Sequence, residues 1–97
     1  MAGYVIAEAE VLDQEPYQEY VRANTETVTR HGGRFIVRGG RCEVVEGNRP
    51  LHRLVVIEFP SFEDAKAWYE SPAYQAVLPI RHKHARTIFV AITEGTP

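Results

Sequence analysis

Arg38 and Glu58 are the two residues of this 97-residue chain with the most direct chemical potential. On neighbouring strands and pointing to one face, a guanidinium would hold an anionic oxygen while the carboxylate beside it accepted a proton. The same two residues also read as a buried structural ion pair, which needs no ligand. Arg34 carries the same choice. Tyr20 and Asn24 lie one helical turn apart, so both can line one pocket wall and orient a substrate carbonyl. The alternative packs Tyr20 into the core and leaves Asn24 at the edge of an apolar stripe. His31 is a candidate general base, because imidazole titrates near neutral pH, and equally a residue that closes a helix. Trp68, Tyr69 and Tyr74 either wall a pocket for a flat ligand or fill the core.

The cluster Arg81-His82-Lys83-His84 raises a further question. On a strand, His82 and His84 would face the same way, as a metal pair requires, and His52 is the remaining histidine able to join them from another strand. No third ligand is firm, so the cluster is read as a solvated basic face and no metal site is assigned. Arg81 is the member that can point into a cleft beneath the helical segment ahead of the last strand. Cys42 has no activating partner and reads as an ordinary strand residue. As the single cysteine it excludes an intrachain disulfide and a cysteine-based zinc site. There is no phosphate loop, no Gly-x-Ser-x-Gly elbow and no dinucleotide fingerprint, and no cofactor is expected.

Elements must position these side chains. Tyr4 to Leu12 alternates as a strand, with Val5, Ala7, Ala9 and Val11 on one face and Tyr4, Ile6, Glu8 and Glu10 on the other. Asp13 can cap a helix whose first turn holds Glu15 and Pro16; Tyr17, Tyr20, Val21, Asn24 and Val28 then recur at helical spacing. Gly32-Gly33 stops it just after His31. Arg34 to Glu46 reads as a long strand bent at Gly39-Gly40, where glycine marks a bulge or a close backbone approach; a tight hairpin there is the competing reading. Alternation without interruption sets Phe35 and Val37 against Arg34, Ile36 and Arg38. A turn at Glu46 to Pro50 leads to Leu54 to Phe59, apolar enough for a strand buried on both faces. Ser61-Phe62-Glu63-Asp64 resembles a capping box and opens a helix through Trp68 and Tyr69. Ser71-Pro72 starts a further short helical segment, which Pro79 should kink or shorten. Thr87 to Ile92 is the last strand, and the ordered core runs from about 3 to 95 of one domain spanning 1–97.

The order β-α-β-β-α-β, with an extra helix before the last strand, predicts an α+β, ferredoxin-like fold. Two helices cover only one face of a four-stranded antiparallel sheet. The other face would show Tyr4, Ile6, Ile36, Leu54 and Val56, an apolar patch unusual for a soluble monomer. A second copy is the simplest cover, so a homodimer through the sheet face is expected. Charges on that face, namely Glu8, Glu10, Arg34, Arg38 and Glu58, must pair, reach water or meet a ligand.

Composition narrows the partners. The net charge of −2 gives no electrostatic footprint for nucleic acid or an anionic membrane. No apolar run approaches the roughly 20 residues that cross a bilayer. Met1-Ala2-Gly3-Tyr4 lacks a basic, signal-like start, so a cytoplasmic location is expected.

The glycine-bracketed segment His31 to Arg41, the run Val55-Val56-Ile57-Glu58-Phe59-Pro60-Ser61-Phe62, and Trp68-Tyr69-Glu70-Ser71-Pro72-Ala73-Tyr74 together resemble the family called domain of unknown function 1330. The likeness covers roughly Tyr4 to Gly95. It implies the dimeric α+β barrel superfamily, in which two ferredoxin-like sheets pack face to face. Cys42 and the basic cluster at Arg81 to His84 are not features of that family. The superfamily spans cofactor-free monooxygenases, isomerases, haem-binding enzymes and non-catalytic binders, so fold alone assigns no reaction. The residues support an enzyme without cofactor acting on a small carbonyl or aromatic compound. In it Arg38 would hold an anionic oxygen, Glu58 or His31 would move a proton, and Tyr20, Asn24, Trp68 and Arg81 would contact the substrate. The alternatives are a non-catalytic small-molecule binder and a purely structural dimer.

Overall fold

In the computed structural model, which describes Met1–Pro97, the elements follow the expected order. They are β1 (Gly3–Val11), α1 (Gln14–Arg30), β2 (Arg34–Arg38), β3 (Arg53–Phe59), α2 (Phe62–Glu70), α3 (Pro72–His84) and β4 (Ala85–Glu94). The strands form one antiparallel sheet in the order β2-β3-β1-β4. All three helices pack on one face, and the core between the layers is built from Val5, Ile57 and Phe59 of the sheet against Tyr20, Val28, Ala65, Trp68, Tyr74 and Leu78 of the helices. This is the α+β, ferredoxin-like fold expected from the pattern.

Local chemistry explains most boundaries. α1 ends at His31, and Gly32 beyond it takes φ +77°, a conformation that costs glycine nothing. Asp13 stands at the N-cap of α1 without a side-chain bond to that helix; its carboxylate instead accepts from His84 Nδ1 at 3.0 Å, tying the start of α1 to the end of α3. Ser61 caps α2 by accepting from the Asp64 amide at 3.1 Å, and Ser71 does the same for α3 through the Tyr74 amide, also at 3.1 Å.

Three expectations change. The long strand from Arg34 to Glu46 ends at Arg38, and residues 39–52 form a loop that contains Cys42. Gly39 takes φ +68° there, and its missing side chain leaves room for the Arg53 guanidinium, so the close-approach reading of the glycine holds while the strand does not continue. Next, α3 is not short: it runs through Pro79 to His84, held by the burial of Tyr74, Leu78 and Arg81 along one face. Packing of that face outweighs the one hydrogen bond that proline removes. His82 and His84 therefore lie in the last turn of a helix rather than on a strand, where basic residues suit the negative helix end, and no group of metal-ligating residues forms around them.

The third change has the largest effect. In the β2–β3 pairing, Arg34 opposes Glu58 and Phe35 opposes Ile57, but Val37 opposes Val56 and Arg38 opposes Val55. Ile36 is the extra residue of a bulge. After it the parity of β2 is reversed, so Arg38 shares the helix side with Phe35, Val55 and Ile57, and Val37 joins the open face. The open face carries Tyr4, Ile6, Val37, Leu54, Val56, Phe89 and Ala91, with Phe89 38% exposed. β3 is accordingly covered on its helix side only, not on both faces.

Candidate functional site

A cavity of about 40 Å³ lies between the sheet and the helices. At roughly 10–15 Å³ per water by this measure, it has room for about three waters, or a ligand of a few heavy atoms. Its walls are mostly apolar: Val5, Val55 and Ile57 from the sheet, Tyr17 and Val21 from α1, Trp68 from α2. The polar exceptions include Tyr20, Asn24, Arg38, Arg53, Tyr74 and Arg81.

Each polar residue is set by its element. Tyr20 and Asn24 sit one turn apart on the buried stripe of α1, and Tyr74 and Arg81 sit two turns apart on the buried face of α3. The Tyr20 and Tyr74 hydroxyls are 2.8 Å apart, and Arg81 Nη1 donates to the Tyr74 hydroxyl at 3.2 Å. Burial, reinforced by Tyr74, pushes the Tyr20 hydroxyl well above the usual phenol range, and burial raises Tyr74 as well. Both are therefore neutral at physiological pH and keep their protons. Two hydroxyls that share one hydrogen bond hold two hydrogens, so one hydroxyl hydrogen is left over whichever is the donor. Arg81 is 6% exposed, and its Nε has no hydrogen-bond partner. The Asn24 carbonyl oxygen accepts from Thr27 Oγ1 at 3.1 Å, and its amide nitrogen makes no bond within the protein. Thr27 in turn accepts from Trp68 Nε1 at 3.0 Å, which locks the indole.

Arg38 and Arg53 stand at the more open end. Arg38 donates to the Val21 carbonyl at 3.1 Å and to Thr25 Oγ1, and its guanidinium lies 3.7 Å from the centre of the Phe35 ring. Burial, then the repulsion of Arg53, lowers its proton affinity from the ordinary arginine value. Arg53 sits over the Tyr17 ring at 5.9 Å, with its buried Nε unpartnered. Neither these two arginines nor Arg81 takes part in any ion pair.

Tyr20, Asn24, Trp68, Arg38 and Arg81 thus meet around one cavity. Glu58 and His31 do not. Because of the bulge at Ile36, Glu58 lies across the sheet from Arg38 and is engaged by Arg34 Nε at 2.9 Å and the Tyr4 hydroxyl at 3.0 Å, which hold its carboxyl below the usual range. The expected Arg38–Glu58 pair is corrected to an Arg34–Glu58 pair on the open face. His31 closes its own helix, with Nδ1 2.9 Å from the Thr27 carbonyl, and it lines no part of the cavity. Glu8 is the one acidic residue of the lining, but its register partners Leu54 and Phe89 put its carboxylate on the open face, away from the cavity, where it is already occupied. Its side chain is fully buried under the 39–52 loop, accepting from Arg49 at 2.6 and 3.1 Å and from the His52 amide at 3.2 Å. Arg49 thereby holds Glu8 below the ordinary carboxylate range.

Arg53 and Tyr17 were not singled out as site residues. Arg53 precedes the apolar run that marks β3, yet alternation back from Ile57 and Val55 places it on their face. Tyr17 was assigned to the stripe of α1, and only its neighbours show that it faces a guanidinium.

A family model described as Domain of unknown function (DUF1330) matches residues 2–95. The chain belongs to this family. Among solved structures, the fold is similar to the RPA0582 protein of unknown function from Rhodopseudomonas palustris, with a TM-score of 0.77 and 15% identity over 99% of this chain and 83% of that one. It is also similar to a Nitrosomonas europaea protein provisionally described as an antibiotic biosynthesis monooxygenase, with a TM-score of 0.59 and 19% identity over 97% and 89%. A third likeness is to a dimeric ferredoxin-like protein of unknown function from Thermobifida fusca, with a TM-score of 0.58 and 12% identity over 100% and 92%. No protein of curated function matches the sequence. No helix is long and apolar enough to cross a membrane.

Proposed function

We propose that this member of the DUF1330 family is a homodimeric small-molecule-binding protein. Its cavity takes a compact compound through a hydrogen-bond-accepting oxygen. One observation carries the reading: Arg81, a lining residue of an apolar cavity, keeps a buried Nε without a hydrogen-bond partner next to a leftover tyrosine hydroxyl hydrogen. Buried donors are normally satisfied, and leaving one open costs about 1–3 kcal/mol. A ligand oxygen would offset that cost. Apolar walls with a few convergent polar groups are the usual make-up of a ligand site.

The homodimer follows from the open apolar sheet face, and it is supported by the dimeric description of the Thermobifida fusca relative. A second reading, cofactor-independent chemistry on a small carbonyl compound, is favoured by the same donor set. Donors aimed at an oxygen stabilise the charge that develops there when a neighbouring proton leaves. No carboxylate side chain faces the cavity, because Glu8 leaves the sheet with Leu54 and Phe89 on the open face, so the proton acceptor in this reading would be water or the substrate itself.

The test is a thermal-shift panel with acetate, acetone, pyruvate, benzoate and phenol on wild type, Arg81→Met and Tyr74→Phe. Binding predicts a melting-temperature rise for at least one oxygen acceptor in wild type that is lost in Arg81→Met. A panel that shifts wild type and Arg81→Met equally would remove this cavity from the function. Loss of a compound over time in wild type, followed by proton exchange in heavy water, would favour the catalytic reading.

A further inference from the structure

The cavity's polar groups are unequal in charge. Three guanidiniums line it, no ion pair neutralises any of them, and the one acidic lining residue, Glu8, is held by Arg49 with its side chain on the other face of the sheet. The two buried side-chain atoms there that lack a partner are both donors, Arg53 Nε and Arg81 Nε. The donors also fall at two ends. Arg81 and Tyr74 form the buried end, at 6% and 0% exposure, while Arg38 and Arg53 are only half-buried. Arg38 is held by the Val21 carbonyl and the Thr25 hydroxyl, and Gly39 keeps the adjoining space open for Arg53. The two like charges are thus kept near each other by neutral partners alone, at a cost that an anion would relieve.

We propose that the ligand is a small 2-oxo acid. Its carboxylate lies against Arg38 and Arg53 at the open end, and its keto oxygen accepts from Arg81 Nε and the tyrosine pair at the buried end. This rests on the small-molecule reading above and names the ligand class for the same cavity. The enclosed volume holds about three waters, so the keto end of a small 2-oxo acid lies inside it while the carboxylate end reaches out to the half-buried Arg38 and Arg53. The chemistry fits as well. A 2-oxo acid carries two adjacent acceptor groups and no donor, which suits a lining whose charged groups are three guanidiniums and whose two unpartnered buried side-chain atoms are both donors. Arg53 and Arg38 then select for charge, and Arg81 selects for the second oxygen.

Pyruvate and pyruvamide separate the idea from the broader one, because they share shape and keto group and differ in the charged end. Isothermal titration of wild type is expected to show pyruvate binding at least tenfold more tightly than pyruvamide. A charge-assisted hydrogen bond contributes about 1.5–3 kcal/mol, equal to roughly 10- to 100-fold in affinity. The preference should collapse in Arg38→Gln and Arg53→Gln. It should also shrink between about 10 mM and 1 M salt, where the screening length falls from about 30 Å to 3 Å. Equal binding of the two compounds to wild type would overturn the charge selection and leave the cavity as a binding site. Neither compound binding, while another member of the panel still shifts wild type but not Arg81→Met, would overturn this inference alone. If no compound gives that difference, both readings fall. The wild-type comparison needs no variant, so it stands even if a glutamine substitution disturbs folding.

Discussion

Replacing Arg81 by Met tests whether this protein gives up stability to keep an open donor in its interior. Arg81 is 6% exposed and carries a positive charge with no carboxylate partner. Its Nε is unpartnered, and its one side-chain bond runs to the Tyr74 hydroxyl at 3.2 Å. Removing the unsatisfied donor should recover about 1–3 kcal/mol, and losing the bond to Tyr74 should cost about 0.5–1.5 kcal/mol. Tyr74 keeps its partner in Tyr20. Met matches the length of the arginine stem and fills the space with flexible apolar atoms. The net effect therefore runs from about 0.5 kcal/mol lost to about 2.5 kcal/mol gained, while ligand binding is lost. For a chain of this size the upper end corresponds to a melting-temperature rise of about 10–20 °C. Urea and thermal unfolding should be followed at one protein concentration, since a dimer's stability depends on it. A loss of more than about 2 kcal/mol in Arg81→Met would refute the reasoning, because it would mean that the guanidinium is well satisfied and structural.

Other outcomes are accessible to the same assays. Thr27→Val removes the acceptor of the buried Trp68 indole N–H, so it should cost about 1–3 kcal/mol in urea unfolding, far more than an exposed threonine. Glu8 has a folded-state pKa below its unfolded value because of Arg49, so its stabilisation is present above the unfolded value of about 4.3 and is lost as pH falls through the folded one. Glu8→Gln should accordingly flatten the fall of melting temperature between about pH 5 and 3, and an unchanged acid profile would contradict the assignment. Phe89→Glu places a charge on the open sheet face and should shift the species seen by sedimentation from dimer to monomer; an unaltered dimer would mean that another surface joins the copies.

The architecture was legible because most elements announce themselves twice. α1 shows a 3.6-residue apolar stripe and a glycine stop, and both agree with its observed span. β1 alternates well enough to read as a strand and pairs on both sides, as a central strand should. The site was less legible because it depends on parity. Reading Arg38 beside Glu58 assumed an unbroken β2, and nothing in Arg34 to Arg38 flags Ile36 as the extra residue. Bulges are set by how neighbouring strands meet, which a single strand's pattern does not contain. Pro79 misled for a related reason: its local penalty is real, but the buried face of α3 is a tertiary quantity. Tyr20, Asn24 and Trp68 lie on the helix faces their spacing indicates, because helical spacing fixes facing without reference to any partner; Arg81 joins them only because α3 continues past Pro79.

The irregular residue Ile36 bears on how this edge strand takes a change in length. Loss of its codon would leave Phe35 opposite Ile57, Val37 opposite Val56 and Arg38 opposite Val55, now in regular alternation, so the guanidinium of Arg38 would keep to the cavity side. Straightening the strand without shortening it would instead send that guanidinium through the sheet to the opposite face, with every side chain's chemistry unaltered. A shortened edge strand can thus preserve an arrangement that a full-length, regular one would lose.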